Sequence, residues 1–271
     1  MPEWPEMEHY RKLLMERIGG QRIVGVEIVR PQSINVDPGE FARETIGSAV
    51  WYVERRGKYL IFHLDNGKRL LLHLMVGGSL FFGSEEERPD RTAQITLQFP
   101  NGNLYFIGLR LGYLHLLSVK DAAGRLAELG PDPMDRRLDA AAFAARFAGK
   151  RGMLKPALTD QSNVAGIGNC YADEMLHKAG IRPDVPVPQV DAAGWQRLHG
   201  AMRTVLEEAA AHGGYMEMPL YAGDTQTGKA AQLLQVYDRE GEPCPKCGGA
   251  IVKTEVSGRK TFFCPVCQPE P

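Results

Sequence analysis

The chain has 271 residues, 44% of them hydrophobic and 24% charged, with a net charge of −1 and five cysteines. That length holds two domains, or one large core plus a small module, in an ordinary globular composition. No apolar run approaches the ~18–20 residues of a membrane span, and no basic segment leads into an apolar one, so membrane and secretory classes are excluded and a cytosolic location is expected. Bulk charge alone speaks against a nucleic-acid partner, but the basic residues cluster, which weakens that exclusion.

The chain opens with Met1-Pro2-Glu3-Trp4-Pro5-Glu6. Pro2 is small, so the initiator Met1 is removable, which leaves a proline with a free secondary amine. An α-amine titrates near ~8, well below the ~10.4 of a lysine. It is partly neutral at physiological pH and can attack a carbonyl or a sugar anomeric carbon. Glu3 and Glu6 lie within a helical turn and can move protons beside it. The same residues also read as an ordinary helix start, with Pro5 at the first position and acidic side chains favouring the dipole. A retained Met1 blocks the amine.

A helix is predicted from Pro5 to Ile18, with Tyr10, Leu13, Leu14 and Ile18 on one face and Gly19-Gly20 as its stop. Short β-rich runs follow at Ile23–Val29, Val50–Arg55, Tyr59–Leu64, Arg69–Met75, Ala93–Phe99, Leu104–Ile107 and Tyr113–Leu117. Asp65-Asn66-Gly67 and Pro100-Asn101-Gly102 are hairpin turns, and the set reads as an antiparallel sandwich. Glu54-Arg55-Arg56-Gly57-Lys58-Tyr59 sets a lysine after a glycine turn, a pattern shared by solvated hairpin turns. The acidic segment Ser84–Arg91 reads as an exposed loop.

Beyond Leu117 the pattern turns helical: Asp121–Leu129, Asp139–Ala148, Met153–Asp160, Cys170–Ala179 and Asp191–Ala211. Gly130-Pro131-Asp132-Pro133 marks a boundary. The stretch Leu158 to Glu174 joins two helices through a Gly-containing turn, with Asn169 where the second helix begins. A helix N-terminus carrying an amide side chain either binds phosphate or is simply capped. Gly213 to Leu233 has no period and the length of a functional loop. The predicted domains are 1–130, 131–234 and 235–271.

Cys244-x-x-Cys247 and Cys264-x-x-Cys267 stand sixteen residues apart, 248 through 263, within the spacing of four-cysteine zinc sites. Two thiolate pairs on tight turns close a tetrahedral structural site. The strands between them are predicted at Ala250–Val256 and Lys260–Phe263, turning at Ser257-Gly258. Lys246, Lys253, Arg259 and Lys260 make this hairpin basic, and its Arg259 tip suits a phosphate-lined groove.

Taken together, the Met-Pro-Glu-x-Pro-Glu start, the Gly57-Lys58 turn, the helix–two-turn–helix and the zinc ribbon resemble, in order, the formamidopyrimidine-DNA glycosylase / endonuclease VIII family of base-excision repair. The resemblance spans the whole chain. It implies an α+β protein: an N-terminal antiparallel β-sandwich carrying a catalytic helix, then a helical helix–two-turn–helix domain with the ribbon, and damaged double-stranded DNA bound between them. It implies a glycosylase and abasic-site lyase of the bacterial cytosol and nucleoid, acting as a monomer with one structural zinc on Cys244, Cys247, Cys264 and Cys267. Pro2 would be the nucleophile, Glu3 the acid/base and Glu6 a helper. Lys58, Asn169 and Arg259 would grip the phosphates flanking an everted nucleotide, with Lys58 and Arg259 counted in the catalytic set, and Lys155 would lie near the lesion pocket. A lesion-binding protein without turnover and an unrelated zinc-ribbon module are the competing classes.

The chain departs from the family at the residues that fill the gap left by eversion. Val76 falls where a methionine wedge is usual. Leu109 replaces the arginine that reads the opposite base, and Leu111 replaces a phenylalanine. Arg110 remains and could contact phosphate. Trp4 and the stretch from Tyr215 to Leu233 also differ, although Gly213-Gly214 fits.

Overall fold

The computed structural model describes residues 1–270, in two compact units. The first comprises Met1–Ala127 and His212–Lys229; the second comprises Glu128–Ala211 and the chain from Ala230 onward. The periodless stretch after residue 212, expected in the helical domain, therefore belongs largely to the first unit. Leu220 explains why: it is fully buried in the sandwich core, and its carbonyl accepts a hydrogen bond from Phe82 N at 2.5 Å.

Helix α1 (Trp4–Ile18) starts with Pro5 in its first turn and ends at Gly19, whose N–H reaches Met15 O at 3.1 Å. Met7, Tyr10, Leu14 and Ile18 recur every three or four residues and are buried, so this stripe enters the core. Next come β1 (Gly25–Ile28), α2 (Pro38–Thr45), β2 (Val50–Arg56), β3 (Tyr59–Leu64), β4 (Arg69–His73), β5 (Ser79–Gly83), β6 (Ala93–Phe99), β7 (Gly102–Ile107) and β8 (Tyr113–Leu117). Two antiparallel four-stranded sheets form, in the orders β1-β6-β7-β5 and β2-β3-β4-β8. Phe62 of one sheet meets Phe106 of the other edge to face, with ring centroids 6.3 Å apart.

Two elements lie beyond the sequence expectation. Strand β5 is buried at all five positions, so it shows no alternation to detect. Helix α2 buries only Phe41 and Thr45 but carries a cap signal, Asp37 accepting from Gly39 N ahead of Pro38.

The N-terminal segment of the first unit ends with α3 (Val119–Leu126). The second unit contains α4 (Ala140–Ala145), α5 (Leu154–Thr159), α6 (Asn169–Ala179) and α7 (Ala192–Ala211), then the hairpin β9 (Val252–Val256) and β10 (Arg259–Phe263). That hairpin turns through Ser257 and Gly258, both in the left-handed region. Around it, Val236, Cys244, Ile251, Phe262 and Cys264 make the ribbon's small apolar cluster. Among the described residues, no helix is long and apolar enough to cross a membrane.

Candidate functional site

At the N terminus Pro2 is buried, Glu3 is 3% exposed and Glu6 2%. Glu3 caps α1, and the carboxylate of Glu6 reaches back to accept from Glu3 N at 2.8 Å. The other Glu6 oxygen accepts from Tyr215 N at 2.8 Å. The chain can approach this closely only because residue 214 lacks a side chain: a Cβ on Gly214 would stand 2.3 Å from Glu6 Oε1, and its φ is +73°. Trp4 is buried beneath Arg55, whose guanidinium carbon lies 4.7 Å from the ring centroid. Glu8 accepts from both Arg55 at 3.0 Å and Arg11 at 2.6 Å, which ties β2 to α1. His9 contacts Thr227 Oγ1 at 2.9 Å, and Asp224 holds that hydroxyl and three backbone N–H groups of the 220–227 loop. The loop after residue 212 is thus bolted to α1.

Lys58 follows the turn at Gly57 between β2 and β3 and is 6% exposed. Its neighbour His73 meets the Tyr59 ring at a tilt, centroids 4.4 Å apart, and stacks with Tyr113 at 6.0 Å, residues that share one register across the sheet. Burial, with the Lys58 charge second, holds His73 down to about 4, so it is neutral at physiological pH. Among the described residues, the buried His73 Nδ1 has no hydrogen-bond partner.

The two loops at 74–78 and 108–112 pack backbone on backbone. A Cβ on Gly108, at φ +73°, would stand 2.2 Å from Gly77 O. They present Val76 and Leu111, 63% and 65% exposed, beside an open groove of about 570 Å³ that Arg91 and Arg110 also line. Leu109 points the other way. It is fully buried in the sandwich core, with its backbone pinned by Gln94 Oε1 and Ser33 Oγ.

In the second unit Asn169 is the first residue of α6, one place inside Gly168, which is the cap. The turn before it is fixed by Gln161, which donates to Ile167 O and accepts from Gly166 N, both at 2.8 Å. Asn169 is half-buried while residues 163–168 are buried. Arg259 begins β10 and is partly exposed. Burial raises the Asp160 carboxyl, but hydrogen bonds from Ser162 and the charges of Lys150 and Arg259 leave it lowered, which couples Arg259 to the turn after α5.

Lys155 corrects the sequence expectation. Its side chain is 0% exposed and its ammonium bonds to Asp173 at 2.7 Å, Lys260 O at 2.6 Å and Thr261 Oγ1 at 3.0 Å. A lysine whose donors are taken inside the protein does not touch a nucleotide. Burial pushes Asp173 up, to about 7, against the pull of Lys155.

The four ribbon cysteines bring their sulfurs within 4.8 Å of one another, with Cys244–Cys267 at 3.8 Å and Cys247–Cys264 at 3.5 Å. A tetrahedron with Zn–S bonds of about 2.3 Å has edges of about 3.8 Å, so the set fits zinc. All four positions are thiolates and none is left for water, which makes the site structural. His177 Nε2 lies 3.3 Å from Cys244 Sγ.

Residues 1–113 match the formamidopyrimidine-DNA glycosylase N-terminal domain, 129–218 the H2TH domain of the same enzyme, and 241–269 the zinc finger found in FPG and IleRS. The chain belongs to the formamidopyrimidine-DNA glycosylase family. It is 40% identical to the formamidopyrimidine-DNA glycosylase of Symbiobacterium thermophilum over 100% of this chain and 90% of that one. With that of Pelotomaculum thermopropionicum it shares 34% identity over 99% of both. The Lactococcus lactis Fpg bound to abasic-site DNA superposes with a TM-score of 0.92 at 33% identity, covering 99% of this chain and 100% of that. The same enzyme bound to Fapy-dG DNA gives a TM-score of 0.90 with the same identity and coverage.

For this glycosylase-family member, sequence reasoning missed His73, the Glu8–Arg55 tie and the 214–215 backbone that holds Glu6. Only Gly213-Gly214 signalled any of these beforehand. Two outcomes are expected. Gly214→Ala should push Glu6 aside and lower strand cleavage at an abasic site by about a hundredfold, the cost of a misplacement near 1 Å, with zinc content unchanged; near-normal rates would show that Glu6 need not be held there. Cys244→Ser should leave less than stoichiometric zinc by metal analysis and abolish DNA binding with the sandwich still folded, because metal binding supplies most of a small ribbon's folding free energy. Tight DNA binding without zinc would contradict this.

Proposed function

We propose that the chain is a base-excision repair glycosylase and abasic-site lyase that acts on damaged double-stranded DNA through the amine of Pro2. The observation that carries this reading is the buried set Pro2, Glu3 and Glu6 at the start of α1, held by the backbone of Tyr215. Met1 is 39% exposed and open to removal, which creates the nucleophile.

The damaged nucleotide is everted, because its C1′ is out of reach within the duplex. The Pro2 nitrogen forms a bond to C1′; the base leaves with its electron pair while Glu3 hands a proton to the opening sugar ring. The resulting iminium is an electron sink that acidifies the C2′ proton. Loss of that proton expels the 3′ phosphate by β-elimination, and a second, δ-elimination expels the 5′ phosphate. Water then releases the enzyme from the sugar fragment. Lys58, Asn169 and Arg259 supply cationic and amide contacts to phosphates, Arg110 adds a further charge, and Val76 and Leu111 fill the vacated stack. The zinc ribbon holds Arg259 and takes no part in bond making. The intact acid–base set speaks against a protein that only binds lesions. Acting on chromosomal DNA, the enzyme belongs in the bacterial cytoplasm, at the nucleoid.

Lesion preference follows from Leu109. A bidentate arginine contact is worth ~1–3 kcal/mol of discrimination against a wrong base. Buried Leu109 offers none, so the opposite base is read weakly. The small wedges Val76 and Leu111 replace lost stacking only in part, which favours lesions that are already poorly stacked.

Borohydride added during reaction with an abasic duplex should trap a covalent adduct at Pro2. Pro2→Gly should trap far less, and a form with Met1 retained should trap none; normal trapping by that form would sink the assignment of the nucleophile. On duplexes carrying single lesions, excision opposite C and opposite A should differ by less than about tenfold. Abasic sites and ring-saturated pyrimidines should be processed faster than 8-oxoguanine opposite C. Strong selectivity for opposite C would mean that another residue, Arg110 first, does the reading.

A further inference from the structure

The chain spends a fully buried ion pair, Lys155–Asp173, on a place where no reacting group lies. Its partners show what it acts on. Lys155 donates to Lys260 O and Thr261 Oγ1, and Asp173 accepts from Phe262 N at 3.0 Å. These are the three residues that follow Arg259 in β10. At its other end, the pair is rooted in the two helices flanking the phosphate-binding turn. Lys155 is the second residue of α5, and Asp173 stands four residues after Asn169 on α6. Glu174, the next residue on α6, accepts from the N–H groups of Gln235, Val236 and Tyr237 at 2.8–2.9 Å and fixes the strand leading into the ribbon. The charge of Arg259 is felt at Asp160, within that turn.

From these contacts we propose that Lys155 and Asp173 are positioning residues. They lock β10 to α5 and α6 so that Arg259 and Asn169 are held at a fixed spacing, matched to phosphates of one DNA backbone. Neither touches DNA; both act through Arg259. The inference rests on the reading of Arg259 as a phosphate ligand. A lysine serves here because one ammonium satisfies a carboxylate, a carbonyl and a hydroxyl at once, which no apolar side chain does. The pair replaces an apolar contact with a directional one, and direction is what the spacing of two ligands requires.

Removing one partner alone strands a buried charge and risks unfolding, whereas replacing both by apolar side chains is often tolerated. The test therefore uses the double variant Lys155→Met/Asp173→Leu in the full-length zinc-loaded chain, with Arg259→Ala and the triple variant beside it. Affinity for a duplex carrying an abasic-site analogue is measured across a salt series. Arg259→Ala should weaken binding about ten- to a hundredfold, the worth of one charged hydrogen bond, and flatten the log–log salt slope by ~0.9, the signature of one phosphate contact. The Lys155/Asp173 double variant should show the same loss and the same change of slope with zinc content unchanged, and the triple variant should be no worse than either. Three results overturn the proposal. In the first, losses multiply in the triple variant, meaning independent action. In the second, the double variant weakens binding with its salt slope intact, meaning general loosening. In the third, it binds as the parent does. If Arg259→Ala by itself leaves affinity unchanged, the phosphate role of Arg259 falls first and the inference falls with it.

Discussion

One carboxylate organises the first unit. Glu6 is almost wholly removed from water, and it is held there by two backbone N–H groups, a local one from Glu3 and a distant one from Tyr215. A carboxylate buried without donors is costly, and hydrogen bonds to a charged group contribute about 1.5–3 kcal/mol each. The N terminus and the loop after residue 212 are therefore not independent. The loop supplies a donor and the N terminus the acceptor, and Gly214 is the position that lets the backbone come close enough. The consequence is a first turn of α1 whose orientation is set by charge-assisted bonds rather than by apolar packing alone. The very end of a chain would otherwise fray.

The second unit solves a similar problem in the same way. The ribbon has only a small apolar cluster, so burial fixes it weakly. Asp173 and Glu174, adjacent on α6, between them accept four backbone N–H groups from β10 and from residues 235–237. His177, a turn further on, reaches the sulfur of Cys244. One helix thus carries Asn169 at its start and grips the ribbon along its length. The metal closes the ribbon, and α6 aims it.

Between the two sheets, the loops that offer Val76 and Leu111 to solvent are rigid because glycines let their backbones touch. That rigidity has a specific cost. With Ser33 and Gln94 pinning its backbone, Leu109 is committed to the core and is withdrawn from any role at a base edge.

Much of this was legible in the residues. The helix stripe of α1, the strands between Asn–Gly turns, the Cys-x-x-Cys pairs and the Pro2, Glu3, Glu6 constellation all depend on local spacing, which a sequence displays directly. Strand β5 was hidden because burial on both faces erases alternation. The role of Lys155 was hidden for a different reason: a lysine in a sequence looks like a surface cation, and only the fold brings Asp173, Lys260 and Thr261 around it and takes it out of water. The same holds for His73, made neutral by burial and by Lys58, and for the loop after residue 212, placed by the insertion of Leu220. The chain's own order determined which chemistry is present, since the Pro2, Glu3 and Glu6 set, the zinc ligands and the turn before Asn169 are all local motifs. The tertiary structure decided which charges are buried and which are offered to a ligand, because burial is set by contacts between residues far apart in the chain.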